Sequence, residues 1–283
     1  MKFKKILLIL IAFILFISLT YFNAFYINPT TITVREEVIY NDKIKEDLNG
    51  LTILFFSDLH YGTSINETNI DKLIQKINSF DADIILFGGD LVDHFSLNPL
   101  NEDETNFLVQ NLKDINGKYG KFAVYGNHDI DSPIVKDNVY NILKQSDFEV
   151  LENESVMVRK GGDSFIHIVG IDSLLLGNPD ISSAYSMIKD NSYTIALCHT
   201  PDIFNDINDD KTDLMLSGHS HGGQIYFPFV NNLYRPIGTQ IYFKGKYNRE
   251  NTTLDITNGV GTTKKDIRLF ADAEIVVYKF KSN

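Results

Sequence analysis

The chain opens on a stretch with almost no polar positions. From Ile6 to Ile17 every residue is apolar, and no charge occurs between Lys5 and Arg35. A bilayer-spanning helix needs roughly 20 predominantly apolar residues, and the run reaches that length if it continues to Ile27. Lys2, Lys4 and Lys5 precede it, which predicts a cytoplasmic N-terminus and an extracytoplasmic remainder. Tyr21, Phe22, Phe25 and Tyr26 suit the outer interface of a bilayer. The competing reading is a cleaved signal peptide, but only Ser18-Leu19-Thr20 approaches a cleavage site. Residues 1–28 therefore read as the anchor of a single-pass cell-membrane protein, and residues 29–283 as one soluble domain.

Beyond the anchor the pattern changes period. Thr31–Ile39 alternates like a half-exposed strand, with Asn49-Gly50 turning into the next. Leu51–Phe56, Ile84–Phe87, Phe122–Tyr125, Tyr193–Cys198 and Leu214–Leu216 are short apolar runs of the kind that form buried strands. Between them lie helical spacings: Ile70, Leu73, Ile74 and Ile77; then Leu108, Leu112 and Ile115; then Val135, Val139, Ile142 and Leu143. Asn101 with Glu104 forms a capping box for the second helix, which Gly117 closes. Ser132-Pro133 supplies an N-cap and first position for the third. After about residue 145 strands dominate: Phe148–Leu151, Ser155–Arg159, Phe165–Ile171, Ile225–Phe227, Gln240–Phe243, Thr252–Ile256 and Glu274–Phe280, with Gly161-Gly162 as a hairpin turn. Ser182–Asp190 reads as a short helix, and Thr200-Pro201 as the start of another. The class is α/β.

Composition narrows the function. The formal charge of −11 argues against a broad basic surface, so no nucleic-acid partner is expected. An anionic substrate must be drawn in locally. The single cysteine, Cys198, allows no internal disulfide or thiolate cluster and reads as a core residue.

The chemistry collects where the apolar runs stop. Leu51–Phe56 leads to Ser57-Asp58-Leu59-His60, and Ile84–Phe87 to Gly88-Gly89-Asp90. Phe122–Tyr125 leads to Gly126-Asn127-His128-Asp129, Tyr193–Cys198 to His199, and Leu214–Leu216 to Gly218-His219-Ser220-His221. Ligands of open α/β sheets gather at this carboxyl edge. Five of the seven histidines fall in these loops. His219 and His221 are so close that two charged rings would repel, and a shared cation is the natural reason for the pairing.

Five such motifs in this order resemble the calcineurin-like metallophosphoesterase superfamily. Gly222-Gly223-Gln224 and the tail from Asn258-Gly259-Val260-Gly261 to Arg268-Leu269 are similar to its membrane-anchored bacterial branch. The resemblance implies a four-layer α/β/β/α sandwich of mixed sheets. It also implies two divalent metal ions, one held by Asp58, His60, Asp90 and His221 and the other by Asp90, Asn127, His199 and His219. His128 would sit over the reacting phosphate and Asp129 would orient it, unless Asp129 has a turn or capping role beside Ser132. The implied reaction is hydrolysis of a phosphodiester or pyrophosphate bond on a lipid-linked or cell-envelope substrate, through a hydroxide bridging the metals. Elementary chemistry agrees. Two cations about 3.5–4 Å apart clamp the attacking and leaving oxygens and activate water near neutral pH, and a carboxylate such as Asp90 can bridge them. The ligands are nitrogen and oxygen only, which suits Mn, Fe or Zn.

Departures and rivals matter too. His94 stands where the protein Ser/Thr phosphatases of the superfamily carry arginine, which counts against a phosphoprotein substrate. In the tail, Asp272-Ala273-Glu274 replaces the branch's usual proline before glutamate. Lys244, Lys246, Arg249, Lys264, Lys265 and Arg268 form a basic cluster, read as a solvated face or, more sharply, as a site for anionic headgroups. The branch also allows a hydrolase of UDP-2,3-diacylglucosamine, although that lipid is presented on the cytoplasmic side. The remaining rivals are a nuclease and a non-catalytic metal-binding scaffold.

Overall fold

The structure, a computed structural model, describes residues 2–93, 95, 97, 99–189, 191–227 and 235–282. The apolar N-terminal run is helix α1 (Lys2–Phe22), which continues through a π turn (Asn23–Ile27) and a 3-10 turn (Asn28–Thr30). Its large side chains are exposed from Ile6 to Leu19, as suits a helix whose neighbours are lipid.

Two six-stranded mixed sheets make up the rest. One runs β1 (Ile32–Tyr40), β12 (Ala273–Lys281), β2 (Thr52–Phe56), β3 (Ile84–Phe87), β4 (Lys121–Ala123), β5 (Glu149–Val150). The other runs β10 (Gly245–Arg249), β11 (Thr252–Ile256), β9 (Leu214–Ser217), β8 (Tyr193–Leu197), β7 (Phe165–Gly170), β6 (Glu154–Arg159). Within the first, β2, β3, β4 and β5 are parallel; within the second, β7, β8, β9 and β11 are. Strand periodicity divides the core. Ile53 and Phe55 face the second sheet and pack with Leu86, Ile195, Leu197 and Leu216. Leu54 and Phe56 face outward to α2 (Ile70–Asn78), α3 (Glu102–Lys113) and α4 (Pro133–Gln145). A third apolar cluster lies outside the second sheet, under the single-turn helix α5 (Ile181–Ala184) and a 3-10 turn (Pro201–Asn205). The layering is α/β/β/α.

The caps are where the sequence puts them. Asn101 accepts from the Glu104 amide and Glu104 from that of Asn101. Ser132 accepts from the Val135 amide, with Pro133 at the first helical position. The second half needs more correction. Gln240–Phe243 is not a strand, because Asp202 captures the amides of Gln240, Ile241 and Tyr242. The strand is β10, beginning just after it. Ile225–Phe227 is not a strand among the described residues, although Ile225 bridges to Leu269. The helix expected over Ser182–Asp190 is only the turn α5, capped by Asp180, and Asp190 lies outside the described residues. Thr200-Pro201 opens a 3-10 turn in place of an α-helix. β1 does not turn back onto β2 but pairs in parallel with β12.

A buried ion pair ties the sheets together. Arg35 on β1 donates twice to Asp255 on β11, at 2.8 and 2.9 Å, and the Tyr278 hydroxyl on β12 donates to the same carboxylate at 2.7 Å. Removing one member of such a pair strands the others. Because Arg35 keeps some exposure, Asp255→Ala is expected to cost about 2 kcal/mol, below the range for a fully buried pair. Urea unfolding of the detergent-solubilised protein, followed by circular dichroism, checks this through a lower midpoint.

Candidate metal centre

The carboxyl ends of β2, β3 and β4 in one sheet meet those of β8 and β9 in the other. Past the formal strand ends, the chains leaving β2 and β3 stay paired: Asp58 donates its amide to Gly89 and His60 to Asp90. That keeps Asp58 and His60 beside Asp90. Asp58, His60, Asp90, His219 and His221 all have left-handed backbones, with φ between 42° and 66°. Such conformations cost on the order of 1–3 kcal/mol each and cluster at functional sites.

The result brings the predicted residues together. Ligand-type atoms of Asp58, His60 and His221 lie within 4.8 Å of one another, as do those of Asp90, His199 and His219, and of His60, Asp90 and His128. Asp90 connects the groups through one oxygen, Oδ2, 3.4 Å from His60 Nε2 and 3.1 Å from His199 Nε2. All but His128 are buried. Asn127 lines the same cavity, and its Oδ1 is buried with no hydrogen-bond partner in the structure.

The ring nitrogens state what the site lacks in protein alone. His199 Nδ1 lies 2.7 Å from the Gly88 carbonyl and His219 Nε2 lies 2.8 Å from that of Ile237. A carbonyl only accepts, so each of these nitrogens carries the proton. In the neutral rings, His199 Nε2 and His219 Nδ1 then turn lone pairs toward each other at 3.2 Å. On the other side, His60 Nδ1 is 3.1 Å from Asp93 Oδ1 and Nε2 faces His221 Nε2 at 3.1 Å, while His221 Nδ1 meets no protein partner. The lone pairs opposed at His199 and His219 require a proton or a metal ion between them, and the outer partners of His60, His199 and His219 are those that orient metal-binding histidines.

Electrostatics gives the same reading. Burial lowers the His199 imidazolium, but Asp90 outweighs it and holds the group up at about 10. Burial likewise opposes a proton on His60, yet Asp93 and Asp90 hold it above its ordinary value. Burial, then the charge of His199, pushes His219 down to about 4, and burial, then His60, pushes His221 well down. Burial raises Asp58; it would raise Asp90 too, but His199 and His128 hold Asp90 well below the carboxylate range. In each facing pair one ring is held up and the other pushed down, so positive charge is favoured beside Asp90.

Not every expected role survives. For Asp129, expected to orient His128, the contacts found are to backbone amides. It is fully buried and accepts the amides of Asp90, Leu91 and Gly126 at 2.7–2.8 Å, locking two loops together. Burial and then Asp90 push its carboxyl up to about 7 against those three donors. Asp93 stands nearer the task, 3.9 Å from His128 Nδ1. Its position three residues after Asp90 in the same loop was the available signal. His94 lies outside the described residues. The basic cluster is not one face. Arg268 is fully buried and Lys246 and Arg249 are engaged by carboxylates, whereas Lys264 and Lys265 line the cavity. That cavity, about 500 Å³, opens over Asp90, Asn127, His128, His219 and His221.

Residues 51–223 match the calcineurin-like phosphoesterases. The chain is 31% identical to the uncharacterized metallophosphoesterase YkuE of Bacillus subtilis, over 93% of this chain and 90% of that one. It is 31% identical to an uncharacterized metallophosphoesterase of Campylobacter jejuni, over 99% of this chain and 70% of the other. It is 24% identical to the UDP-2,3-diacylglucosamine pyrophosphatase LpxG of Chlamydia muridarum, over 82% and 84%.

Two outcomes are expected. A Cβ on Gly126 would lie 2.0 Å from Asp90 Oδ1. Gly126→Ala should therefore weaken Mn²⁺ binding by about 10–100-fold, the usual effect of disturbing a ligand's support, as read by titration calorimetry. Below about pH 10 an ion reaching His199 must displace its proton. Metal affinity should thus rise with pH, by about tenfold per unit for each proton displaced, and calorimetry in buffers of different ionisation enthalpy should register the released proton.

Proposed function

The chain belongs to the calcineurin-like phosphoesterase family, and on that premise we propose a membrane-anchored hydrolase that uses two divalent ions to cleave a phosphodiester or pyrophosphate bond of a lipid-linked substrate. The observation that carries this reading is the pair of facing imidazole nitrogens, at 3.1 and 3.2 Å, on either side of Asp90. Asp58, His60, Asp90 and His221 would hold one ion, and Asp90, Asn127, His199 and His219 the other. When bound, the ions supply positive charge that acidifies water and neutralises phosphate oxygens. Asp93 and the carbonyls of Gly88 and Ile237 keep the rings turned inward. His128, part-exposed on the cavity wall, is placed to hand a proton to the departing oxygen. The amide of His128 donates to Asp90 Oδ1 at 2.9 Å, which ties the loop carrying the acid to the Asp90 carboxylate.

The lipid substrate and the membrane location rest on two supports: the apolar α1 and the similarity to LpxG, a pyrophosphatase of a diacylated sugar nucleotide. The lysines before α1 favour an extracytoplasmic domain, and hence a lipid of that leaflet in preference to a cytoplasmic sugar nucleotide. Cys198 is the single cysteine and is buried, so Ser182→Cys, at an exposed position, introduces a defined accessible thiol. An impermeant maleimide should label it in intact cells; labelling only after lysis would reverse the topology and restore the sugar-nucleotide substrate.

Purified full-length protein with Mn²⁺ should hydrolyse bis(p-nitrophenyl) phosphate and lose that activity to a chelator. Asp90→Ala should abolish turnover. His128→Ala should keep its metal while kcat falls by about 10²–10⁴, the worth of a positioned acid. Activity that persists without metal, or in Asp90→Ala, would refute the assignment.

A further inference from the structure

Beside the exit of α1 the domain carries an aromatic surface that the reaction does not use. We propose that this surface seats in the bilayer, with Phe227 and Phe270 in the lipid interface and the cavity mouth held at that level; the proposal rests on reading α1 as a membrane anchor.

Depth is set by α1. Past the lysines, a hydrocarbon core of about 30 Å takes about 20 residues from Ile6 at 1.5 Å per residue. The core therefore ends near Phe25. There two ring pairs, Tyr21 with Phe25 at 4.4 Å and Phe22 with Tyr26 at 5.2 Å, stand where aromatic side chains settle between lipid and water. Within that belt the Ala24 carbonyl accepts the Arg268 amide at 3.0 Å, and the Asn28 side chain donates to the Arg268 carbonyl at 3.2 Å. The domain thus grips the helix at the interface itself. Phe270 follows two residues later, within about 7 Å along the chain.

Phe270 is shaped for that setting. It is 56% exposed and has a left-handed backbone, φ 55°, an uncommon conformation for a bulky residue. Its ring lies 6.4 Å from that of Phe227, itself 39% exposed. Strain that presents an apolar ring to the outside makes sense where the outside is not water.

The same segment leads to the cavity. Leu269 donates to the Gln224 carbonyl at 2.7 Å and accepts from the Tyr226 amide at 2.9 Å, and Gln224 lines the cavity. The Gln224 side chain also clamps the loop bearing Lys264 and Lys265, accepting from the Thr263 amide and donating to the carbonyls of Thr263 and Lys265. A short hydrogen-bonded ladder therefore joins the anchor to the cavity wall. The basic side chains of that loop match anionic headgroups. A lipid phosphoester would then reach the site with its chains still in the bilayer.

The chain contains no tryptophan, so Phe270→Trp and Phe227→Trp are single reporters without background. Full-length protein is reconstituted in phosphatidylethanolamine–phosphatidylglycerol vesicles, with Ile14→Trp as a probe inside the anchor and Met157→Trp on the exposed face of β6 as a probe in water. The expected result is blue-shifted emission from both ring-pair positions, quenched at least twofold by brominated acyl chains, as for position 14; position 157 stays unquenched. Quenching at 14 with none at 270 and 227 overturns the proposal while leaving the anchor intact. A blue shift without quenching also overturns it, because protein and not lipid then covers the rings. Loss of quenching at all positions overturns both the proposal and the anchor. Fluorescence requires no turnover, so failure here is separable from failure of the phosphoesterase assignment.

Discussion

Two nitrogen lone pairs cannot rest about 3 Å apart without something positive between them. This chain sets up that arrangement between His199 and His219, and brings His60 and His221 equally close on the other side of one carboxylate. Three of the four rings are turned to their places by a partner behind them: Asp93 for His60, the Gly88 carbonyl for His199 and the Ile237 carbonyl for His219. Much of the surrounding architecture serves the arrangement. Left-handed turns at five ligand-type residues, and glycines at 126 and 218 with no room for a side chain, hold the loops close enough for the rings to meet. Folding such a site empty is unfavourable, and the two large apolar cores on the faces of the first sheet supply the stability that offsets it.

The first half of the molecule was legible because its signals are local. Helices α2, α3 and α4 announce themselves by spacing and caps, and β2 and β3 by uninterrupted apolar runs that end in Asp58 and Asp90. The second half was less so, because long-range partners decide it. Nothing near Gln240 indicates that Asp202, far back in the chain, will take three of its neighbours' amides and deny them to a strand. β1 reads as a strand from its alternation, yet its partner is the last strand of the chain.

The site divides the same way. Residue types and order pointed to Asp58, His60, Asp90, Asn127, His199, His219 and His221, and the structure gathers them. Roles that depend on which atom meets which were harder. Asp129 sits next to His128 in sequence, but its side chain turns inward to three amides, and Asp93 from another loop is the carboxylate found near that ring. Arg268 looked like one member of a surface charge cluster, yet it is the largest fully buried side chain of the described residues.

Arg268 also joins two ends of the protein. Its main chain bonds to Ala24 and Asn28 at the foot of the anchor. Its guanidinium reaches the carbonyls of Asn258, Gly259 and Gly261, in the loop that lies against Asp58. One buried residue therefore links the exit of α1 to the loop against Asp58, so the seating of the helix and the shape of that loop share a common lever.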